Sequence, residues 1–134
     1  MLKRVITYTD YNGVERSEPF YFNLTVAEVT IMQMSAAGGY AEMLQRIVES
    51  KDGATIMSTI EEFILKSYGE KSPDGKQFIK DEKLSTAFKQ TPAYSILFME
   101  LITDAKAAAD FVNGVIPKAG PKAELTPKST PALN

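Results

Sequence analysis

Carboxylates are the first candidates for chemistry in this sequence, and they stand side by side at Glu61-Glu62 and at Asp81-Glu82. A pair of carboxylates shares acid–base work, or binds a hard cation, only when their oxygens converge on one point. Adjacent residues on a helix point about 100° apart, so neither pair forms a shared site. We interpret both pairs as solvated helix residues, of which those in a first turn interact favourably with the helix dipole.

A second candidate is the loop Ser72-Pro73-Asp74-Gly75-Lys76, which has some features of a phosphate-binding loop. It lacks the second glycine and the Gly-Lys-Ser/Thr ending that such loops need. Proline followed by Asp-Gly is typical of a tight turn. We therefore interpret this segment as a turn, and Gly38-Gly39 as a break between helices.

The sequence contains no histidine and no cysteine. This removes the usual general base at neutral pH, the commonest metal ligand, disulfides and thiolate chemistry. Serine and threonine are plentiful, but they have no base partner of the usual kind. We expect no catalytic residue, no metal site and no cofactor, which makes an enzyme the least favoured class.

The six methionines and seven phenylalanines are the better guide to function. Most are expected in the core. Phe98 and Met99, beside Tyr94, lie in a segment that is apolar nearly all round, so one of its faces could remain open to a partner. Methionine-rich surfaces adapt to varied apolar helices. Tyr94, Phe98 and Met99 are thus candidate partner-binding residues, and their assignment to the core remains an open alternative.

Length and charge narrow the class of protein further. The chain has 134 residues with a net charge of −2, and 44% of the residues are hydrophobic, which suggests one ordinary globular domain. A protein that neutralises phosphates is normally basic, so nucleic-acid binding is disfavoured. No apolar run approaches the roughly 20 residues of a membrane span. The first residues lack the apolar core of a signal peptide, and we expect a cytoplasmic protein.

The N-terminal region is predicted to form a β-hairpin over residues 3–24. Residues 3–9 are rich in β-branched and aromatic types, and Asn12-Gly13 is a strong turn signal. Phe20, Phe22 and Leu24 then alternate onto one face. Pro19 cannot donate to a strand ladder, which places its strand at an edge or starts the strand at Pro19. Because a lone hairpin is marginal in water, its apolar face should pack on helices.

Three helices are predicted next. Thr25 and Glu28 have capping-box spacing, with Leu24 and Val29 placed as a hydrophobic staple. The second helix, at about residues 40–49, carries an apolar stripe. That stripe comprises Tyr40, Met43, Leu44, Ile47 and Val48. The third helix starts at an Asp52 cap and ends near Tyr68. Its apolar stripe is Ile56, Ile60, Phe63 and Ile64, and Gly69 is predicted as its C′ residue.

The remaining segments are shorter. The polar connection 70–80 could close as a miniature hairpin on Phe78, and Asp81 can cap a short helix. Thr91-Pro92 is a cap followed by a first-turn proline. The apolar helix that follows is expected from Ala93 to Ile102. A last helix starts at Thr103 or Asp104 and ends at Gly114.

These elements predict a mainly α (α+β) fold in which the N-terminal hairpin packs on a compact bundle of about five to six short helices. Residues 1–117 form one globular domain, with the hairpin at 3–24 and the helical part at 25–117. Residues 118–134 are rich in proline and lysine and have few large apolar side chains. Such a segment cannot bury enough surface to offset the entropy of ordering it, so a flexible tail is expected.

Residues 20 to 117 also resemble a known family, and the similarity rests on a few runs of the sequence. They are Ser67-Tyr68-Gly69-Glu70-Lys71-Ser72-Pro73-Asp74-Gly75, Phe78-Ile79-Lys80, Leu84-Ser85, Phe88, Thr91, Ala93-Tyr94, Leu97-Phe98-Met99-Glu100-Leu101 and Ala107 to Gly114. These runs resemble tail proteins of long-tailed bacteriophages. More narrowly, they resemble the tail assembly chaperones encoded beside the tape measure gene.

The resemblance implies a non-enzymatic role. Such chaperones coat the tape measure protein, keep it soluble, help to recruit tail tube subunits and are absent from the mature virion. Many are made in two lengths by a programmed frameshift, so a longer form of the same chain is a further implied partner. The implied location is the cytoplasm of the bacterial host, and self-association stays open.

Two other functions remain as alternatives. One is a structural component of the virion, such as a tail completion or connector protein, which would form a closed ring. The other is a host-directed adaptor that binds a cellular protein through the same apolar helix. Presence in purified particles distinguishes the first, and binding without any tail protein distinguishes the second.

Overall fold

The computed structural model of the chain describes residues 1–35, 49 and 52–117, and these residues form four strands and five helices. The strands are β1 (Leu2–Thr9), β2 (Glu15–Phe22), β3 (Tyr68–Lys71) and β4 (Phe78–Ile79). The helices are α1 (Val26–Ser35), α2 (Gly53–Ser67), α3 (Glu82–Lys89), α4 (Pro92–Thr103) and α5 (Ala105–Val115). The predicted class, a mainly α (α+β) fold with an N-terminal hairpin, is confirmed. The predicted helix at 40–49, apart from helical Glu49, and the predicted tail at 118–134 lie outside the described residues.

The hairpin forms around the predicted Asn-Gly turn. The Asp10 carboxylate accepts hydrogen bonds from the amides of Asn12 and Val14, both at 2.9 Å. Gly13 has a φ of 81°, a conformation that residues with a Cβ rarely adopt. β1 and β2 then pair antiparallel over their full length, from Leu2 opposite Phe22 to Thr9 opposite Glu15. The turn is therefore specified locally, by its own sequence.

The sheet has the order β1-β2-β3-β4, which corrects the prediction for Pro19. β2 begins at Glu15, before the proline, and it is an inner strand. It meets β3 only through Tyr21 and Phe22, however. Pro19 therefore lies beyond the stretch that pairs with β3, so its missing N–H leaves no gap in that ladder. The miniature hairpin is confirmed, because Lys71 of β3 pairs with Phe78 of β4.

Gly69 was predicted as the C′ residue of a helix, and its position agrees, since Tyr68 is the C-cap of α2. Its φ is not positive, however, so it lacks the left-handed conformation typical of a C′ glycine. α2 ends at Ser67, and the chain continues directly as strand β3, with Tyr68 already extended. A Cβ on Gly69 would lie 2.6 Å from the carbonyl oxygen of Ile79 and 2.7 Å from the Phe78 ring. The glycine is thus required by the close approach of β4.

Gly114 was predicted to end the last helix, and this is wrong, because α5 continues through it to Val115. A Cβ at Gly114 would approach Leu2 Cδ1 to 3.1 Å. The small residue lets α5 pack closely on β1, and Pro117 follows the end of the helix.

The predicted helix starts are confirmed. Thr25 and Glu28 form a reciprocal capping box, in which the Glu28 amide donates to Thr25 Oγ1 at 3.1 Å and the Thr25 amide donates to Glu28 Oε1 at 2.8 Å. The remaining caps are carboxylate or hydroxyl oxygens that accept from amides of the first turn. These caps are Asp52 of α2, Asp81 of α3, Thr91 of α4 and Asp104 of α5.

The core is an aromatic cluster between the sheet and the helices. Phe22 is fully buried, and its ring lies 5.1 to 5.8 Å from the rings of Tyr68, Phe88 and Phe111. Tyr68 stacks on Phe88 with a centroid distance of 4.2 Å. Offset-stacked and edge-to-face pairs of this kind add about 0.5–1.5 kcal/mol beyond area burial. The apolar face of the hairpin therefore packs on the helices, as predicted.

Candidate protein-interaction surface

Helix α4 buries one side and exposes another that is also apolar. Ala93, Tyr94, Leu97 and Leu101 are buried. On the exposed side, Met99 is 50% accessible, and Ile96 is exposed to a similar extent. The core of the domain therefore covers only part of the apolar surface of α4.

The three predicted partner-binding residues lie in different environments. Tyr94 is 7% exposed and belongs to the core, Phe98 is half-buried, and Met99 is exposed. The rings of Tyr94 and Phe98 stack with a centroid distance of 5.8 Å and an interplanar angle of 21°. Phe98 and Met99 are thus accessible to solvent, whereas Tyr94 contacts the Phe98 ring from the core side.

The hydroxyl of Tyr94 is an unusual buried group. Within the described residues it is the one buried side-chain oxygen or nitrogen without a hydrogen-bond partner. Burial raises the pKa of Tyr94 to about 12, and the negative charge of Glu61 adds to the rise. The hydroxyl therefore stays protonated at neutral pH, and its desolvation is uncompensated in the described part of the chain.

A depression lies along α2 where Phe98 of α4 borders it, and we call it the α2–α4 groove. Its volume is about 690 Å³, and it is open to solvent. The apolar part of its lining is Ala54, Met57, Leu65 and Phe98. Met57, at 43% exposed, is the most accessible of its large apolar side chains.

Sequence reasoning identified Phe98 but missed Met57 and Leu65 as part of this surface. Both lie on α2 outside the buried stripe that the 3.6-residue period predicts. Because they are apolar and lie beside the predicted core stripe, the sequence does indicate that the apolar surface of α2 is wider than that stripe. Whether they face water or a neighbouring helix depends on where α4 packs, which periodicity does not reveal.

The edge of the α2–α4 groove is acidic. Glu61 and Glu62 line it, and Lys89 Nζ of α3 lies 2.9 Å from Glu61 Oε2. Both members of that pair are substantially exposed, and such ion pairs contribute little to stability. Glu62 is exposed and makes no ion pair with the described residues. A partner helix with lysine or arginine beside its apolar stripe would match this edge.

Of the other depressions, the one between β2 and β3 has a volume of about 240 Å³, and its lining includes Phe20, Tyr21 and Tyr68. Two more fit a partner less well. A cavity of about 10 Å³ between α2, α4 and α5 has an entirely apolar lining, and it is no larger than a single water molecule needs. A depression on α3 is lined by Glu82, Lys83, Thr86, Ala87 and Gln90. It has no large apolar side chain, so it gives little hydrophobic binding energy.

Of the segments considered for chemistry, Glu61-Glu62 lies within α2 and Asp81-Glu82 at the start of α3. Ser72 to Gly75 make the predicted turn, in which the Gly75 amide donates to the Ser72 carbonyl at 2.9 Å. The Ser72 hydroxyl, hydrogen-bonded to Asp74 at 2.6 Å, lowers the pKa of that carboxyl, and the Lys76 amide adds to the effect. Asp74 is therefore satisfied by its own turn. Across residues 1–35, 49 and 52–117, no cluster of three metal-ligating side chains occurs.

In the part of the chain that the structure describes, no helix has the length and apolar character needed to cross a membrane.

Comparison with known proteins identifies the family of the chain. No match was found among curated proteins or among solved structures. The model of one family, described as phage tail assembly chaperone, matches residues 1–125. That range includes the hairpin, all the described helices and the α2–α4 groove, so it covers most of the chain. The chain belongs to the phage tail assembly chaperone family.

Proposed function

We propose that this protein binds the tape measure protein during tail assembly, keeps it soluble and helps to recruit tail tube subunits. Membership of the chaperone family supports a role in tail assembly. The observation that carries the specific proposal is the α2–α4 groove, with its apolar floor, acidic edge and exposed Met57. The groove has the features of a site for an amphipathic helix.

The properties of the target explain why such a groove is useful. A tape measure protein is a long, mostly helical chain with apolar stripes, and alone it exposes far more apolar surface than a soluble protein tolerates. A chaperone needs adaptable contacts of moderate strength, repeated along the target. Methionine at the surface provides adaptability, and several copies on one target add avidity.

Within this proposal the contact surface consists of Phe98 and Met57 in the α2–α4 groove and Met99 on the adjoining side of α4. The role of Tyr94 is to hold the Phe98 ring in place through the stacked contact. The exposed Glu62 favours target segments that carry basic residues beside the apolar stripe.

The wider setting follows from the same proposal. The protein acts without catalysis in the cytoplasm of the bacterial host and is absent from the mature virion. Its partners are the tape measure protein, the tail tube protein and a longer form of its own chain made by frameshifting. It binds neither nucleic acid nor membranes.

The test is co-expression with the tape measure protein of the same gene cluster. The wild-type chain should move the tape measure protein into the soluble fraction and co-purify with it in many copies. Met57→Glu should reduce both effects, because it places a charge among the apolar side chains of the groove. Ile31→Glu is the matched control, since Ile31 is an exposed apolar residue on helix α1, outside the groove.

Three outcomes would contradict the proposal. An insoluble tape measure protein without co-purification would overturn chaperone activity of this chain alone. Equal loss in both variants would show that the effect is unrelated to the groove. Recovery of the protein from purified particles would favour the structural virion component instead, and binding to a host protein without tail proteins would favour the adaptor.

A further inference from the structure

Strand β1 forms one edge of the sheet. It has eight residues, and its partner within the described part of the chain is β2 alone. The register from Leu2 to Thr9 is continuous, without a bulge, and the strand contains no proline. Proteins usually protect an edge of this length with a bulge or a proline, because the N–H and C=O groups along the edge can pair with another strand.

The register shows which backbone groups of β1 do not pair with β2. The Asp10 amide donates to the Val14 carbonyl at 2.8 Å, which makes them a hydrogen-bonded pair. In an antiparallel ladder such pairs alternate with non-hydrogen-bonded pairs. The residues that face β2 are therefore Tyr8, Ile6, Arg4 and Leu2.

The sequence of β2 supports this assignment of hydrogen-bonded and non-hydrogen-bonded pairs. Val5 stands opposite Pro19, which has no N–H, so this is a non-hydrogen-bonded position. The N–H and C=O groups of Lys3, Val5, Thr7 and Thr9 therefore point away from β2, toward the free edge. They form an unbroken row of alternating donors and acceptors along the whole strand.

The side chains of these four residues lie on the outer face of the sheet, away from the helices, and all four are exposed. Val5 is 58% accessible, and Thr7 and Thr9 are β-branched, which suits a strand that pairs on both sides. Lys3 is the one charged residue among them. Apart from Lys3, a residue type that protects many edge strands, this edge has the composition of an inner strand.

We infer that β1 is the interface with a second copy of the chain, in which two β1 strands pair antiparallel about a two-fold axis near Val5 and join two sheets into one. The inference concerns a surface separate from the α2–α4 groove and does not depend on tape measure binding. A two-fold interface uses the same patch on both subunits.

The strand is complementary to itself in this arrangement. Centred on Val5, the pairing places Lys3 opposite Thr7 and Arg4 opposite Ile6, so no like charges face each other. Lys3, Val5 and Thr7 then pair through the backbone groups that point to the free edge. Arg4 is held by Glu100 of α4 at 2.7 Å, which neutralises it within its own subunit.

Two other stretches of strand lack a partner on one side in the described part of the chain, and both suit a second copy less well than β1. The side of β2 that faces β3 has no strand partner from Glu15 to Phe20, and Pro19 there has no N–H to donate. β4 has only two residues, Phe78 and Ile79, so it matches an eight-residue strand poorly. Pairing of β1 with β4 of the next copy would generate an open chain of subunits, whereas β1 with β1 closes as a dimer.

The test is the mass in solution of the full chain and of one proline variant. Wild-type protein should have roughly twice the 14.8 kDa of one chain and dissociate on dilution. Val5→Pro should be monomeric, because it removes the central donor of the free edge and leaves the ladder to β2 intact. Val5→Thr is the control and should remain a dimer, since it keeps the N–H and a β-branched side chain.

Backbone hydrogen exchange of the wild-type protein gives a second measurement that needs no variant. The amides of Val5 and Thr7 should be protected at high concentration and lose that protection on dilution, whereas those of Arg4 and Ile6 stay protected at both concentrations. A monomer at all concentrations overturns the inference. So does a dimer that persists in Val5→Pro, or one in which the Val5 and Thr7 amides exchange freely, because either result places the interface elsewhere.

Discussion

The rings of Tyr94 and Phe98 stack at a centroid distance of 5.8 Å, and this contact joins the core to the α2–α4 groove. Tyr94 also packs edge-to-face on Phe88 at 5.6 Å, and Phe88 belongs to the aromatic cluster around Phe22. The position of the Phe98 ring in the groove is thus set by a continuous series of ring contacts. A rigid floor reduces the entropy that is lost when a partner binds.

Tyr94→Phe tests the unpaired hydroxyl. The variant removes a buried oxygen without a partner and keeps the ring, so we expect the free energy of unfolding to rise by about 1 kcal/mol. Urea unfolding measures this change. Solubilisation of the tape measure protein should be retained, because the contact with Phe98 is unchanged. A loss of stability would show that the hydroxyl has a bonding partner in the folded protein.

Gly69→Ala tests the close approach of β3 and β4. The added Cβ would meet the Ile79 carbonyl oxygen at 2.6 Å, so we expect a loss of roughly 1–3 kcal/mol in the free energy of unfolding. Gly53→Ala is the matched control at the start of α2, where a Cβ meets nothing within 4 Å. It should stabilise the protein by roughly 0.4–1 kcal/mol. Thermal unfolding of the two variants should shift in opposite directions.

Thr91→Ala tests the start of helix α4. Thr91 Oγ1 accepts from the Tyr94 amide at 3.2 Å and donates to the Phe88 carbonyl at 2.7 Å. Losing this cap should cost about 1 kcal/mol in urea unfolding. Thr103→Ala, at the exposed end of the same helix, should change stability by less than about 0.5 kcal/mol. Equal effects of the two changes would argue against a specific role of the cap.

Glu28→Gln tests the dependence of stability on pH. Burial raises the pKa of Glu28, but the hydrogen bond from Lys80 at 2.6 Å, together with the Thr25 amide, holds it below its ordinary value of 4.5. Because the pKa is lowered in the folded state, the contribution of Glu28 to the free energy of unfolding is complete at pH values above its ordinary pKa. It is lost as the pH falls through the folded pKa.

The measurement compares urea unfolding at about pH 7 and about pH 3 for both proteins. Wild type should lose more stability on acidification than Glu28→Gln, in which the amide oxygen can still accept from the Thr25 amide. The pKa values of Asp10, Asp52 and Asp74 are also lowered by their hydrogen bonds, but these carboxyls titrate equally in both proteins. An identical loss in the two proteins would show that Glu28 contributes no pH-dependent stability.

The sequence by itself determined the features that depend on residues close together in the chain. The Asn12-Gly13 turn and the caps at Asp52, Asp81, Thr91 and Asp104 satisfy backbone groups within a few residues, so local types and spacing suffice to predict them. The family resemblance also came from the sequence, and so did Phe98 and Met99 as candidate contacts.

Only the tertiary structure decided how distant segments meet. Gly69 follows the cap of α2 as predicted and Gly114 lies inside α5, but the reason for a glycine at each position is a close neighbour, β4 or the Leu2 side chain, that lies elsewhere in the chain. Helix α4 is apolar on most sides, so its period could not show that Tyr94 is buried or that Phe98 joins Met57 of α2 in a groove. Periodicity reports how apolar each face of a helix is, and the packing of neighbouring elements decides which of those faces are covered.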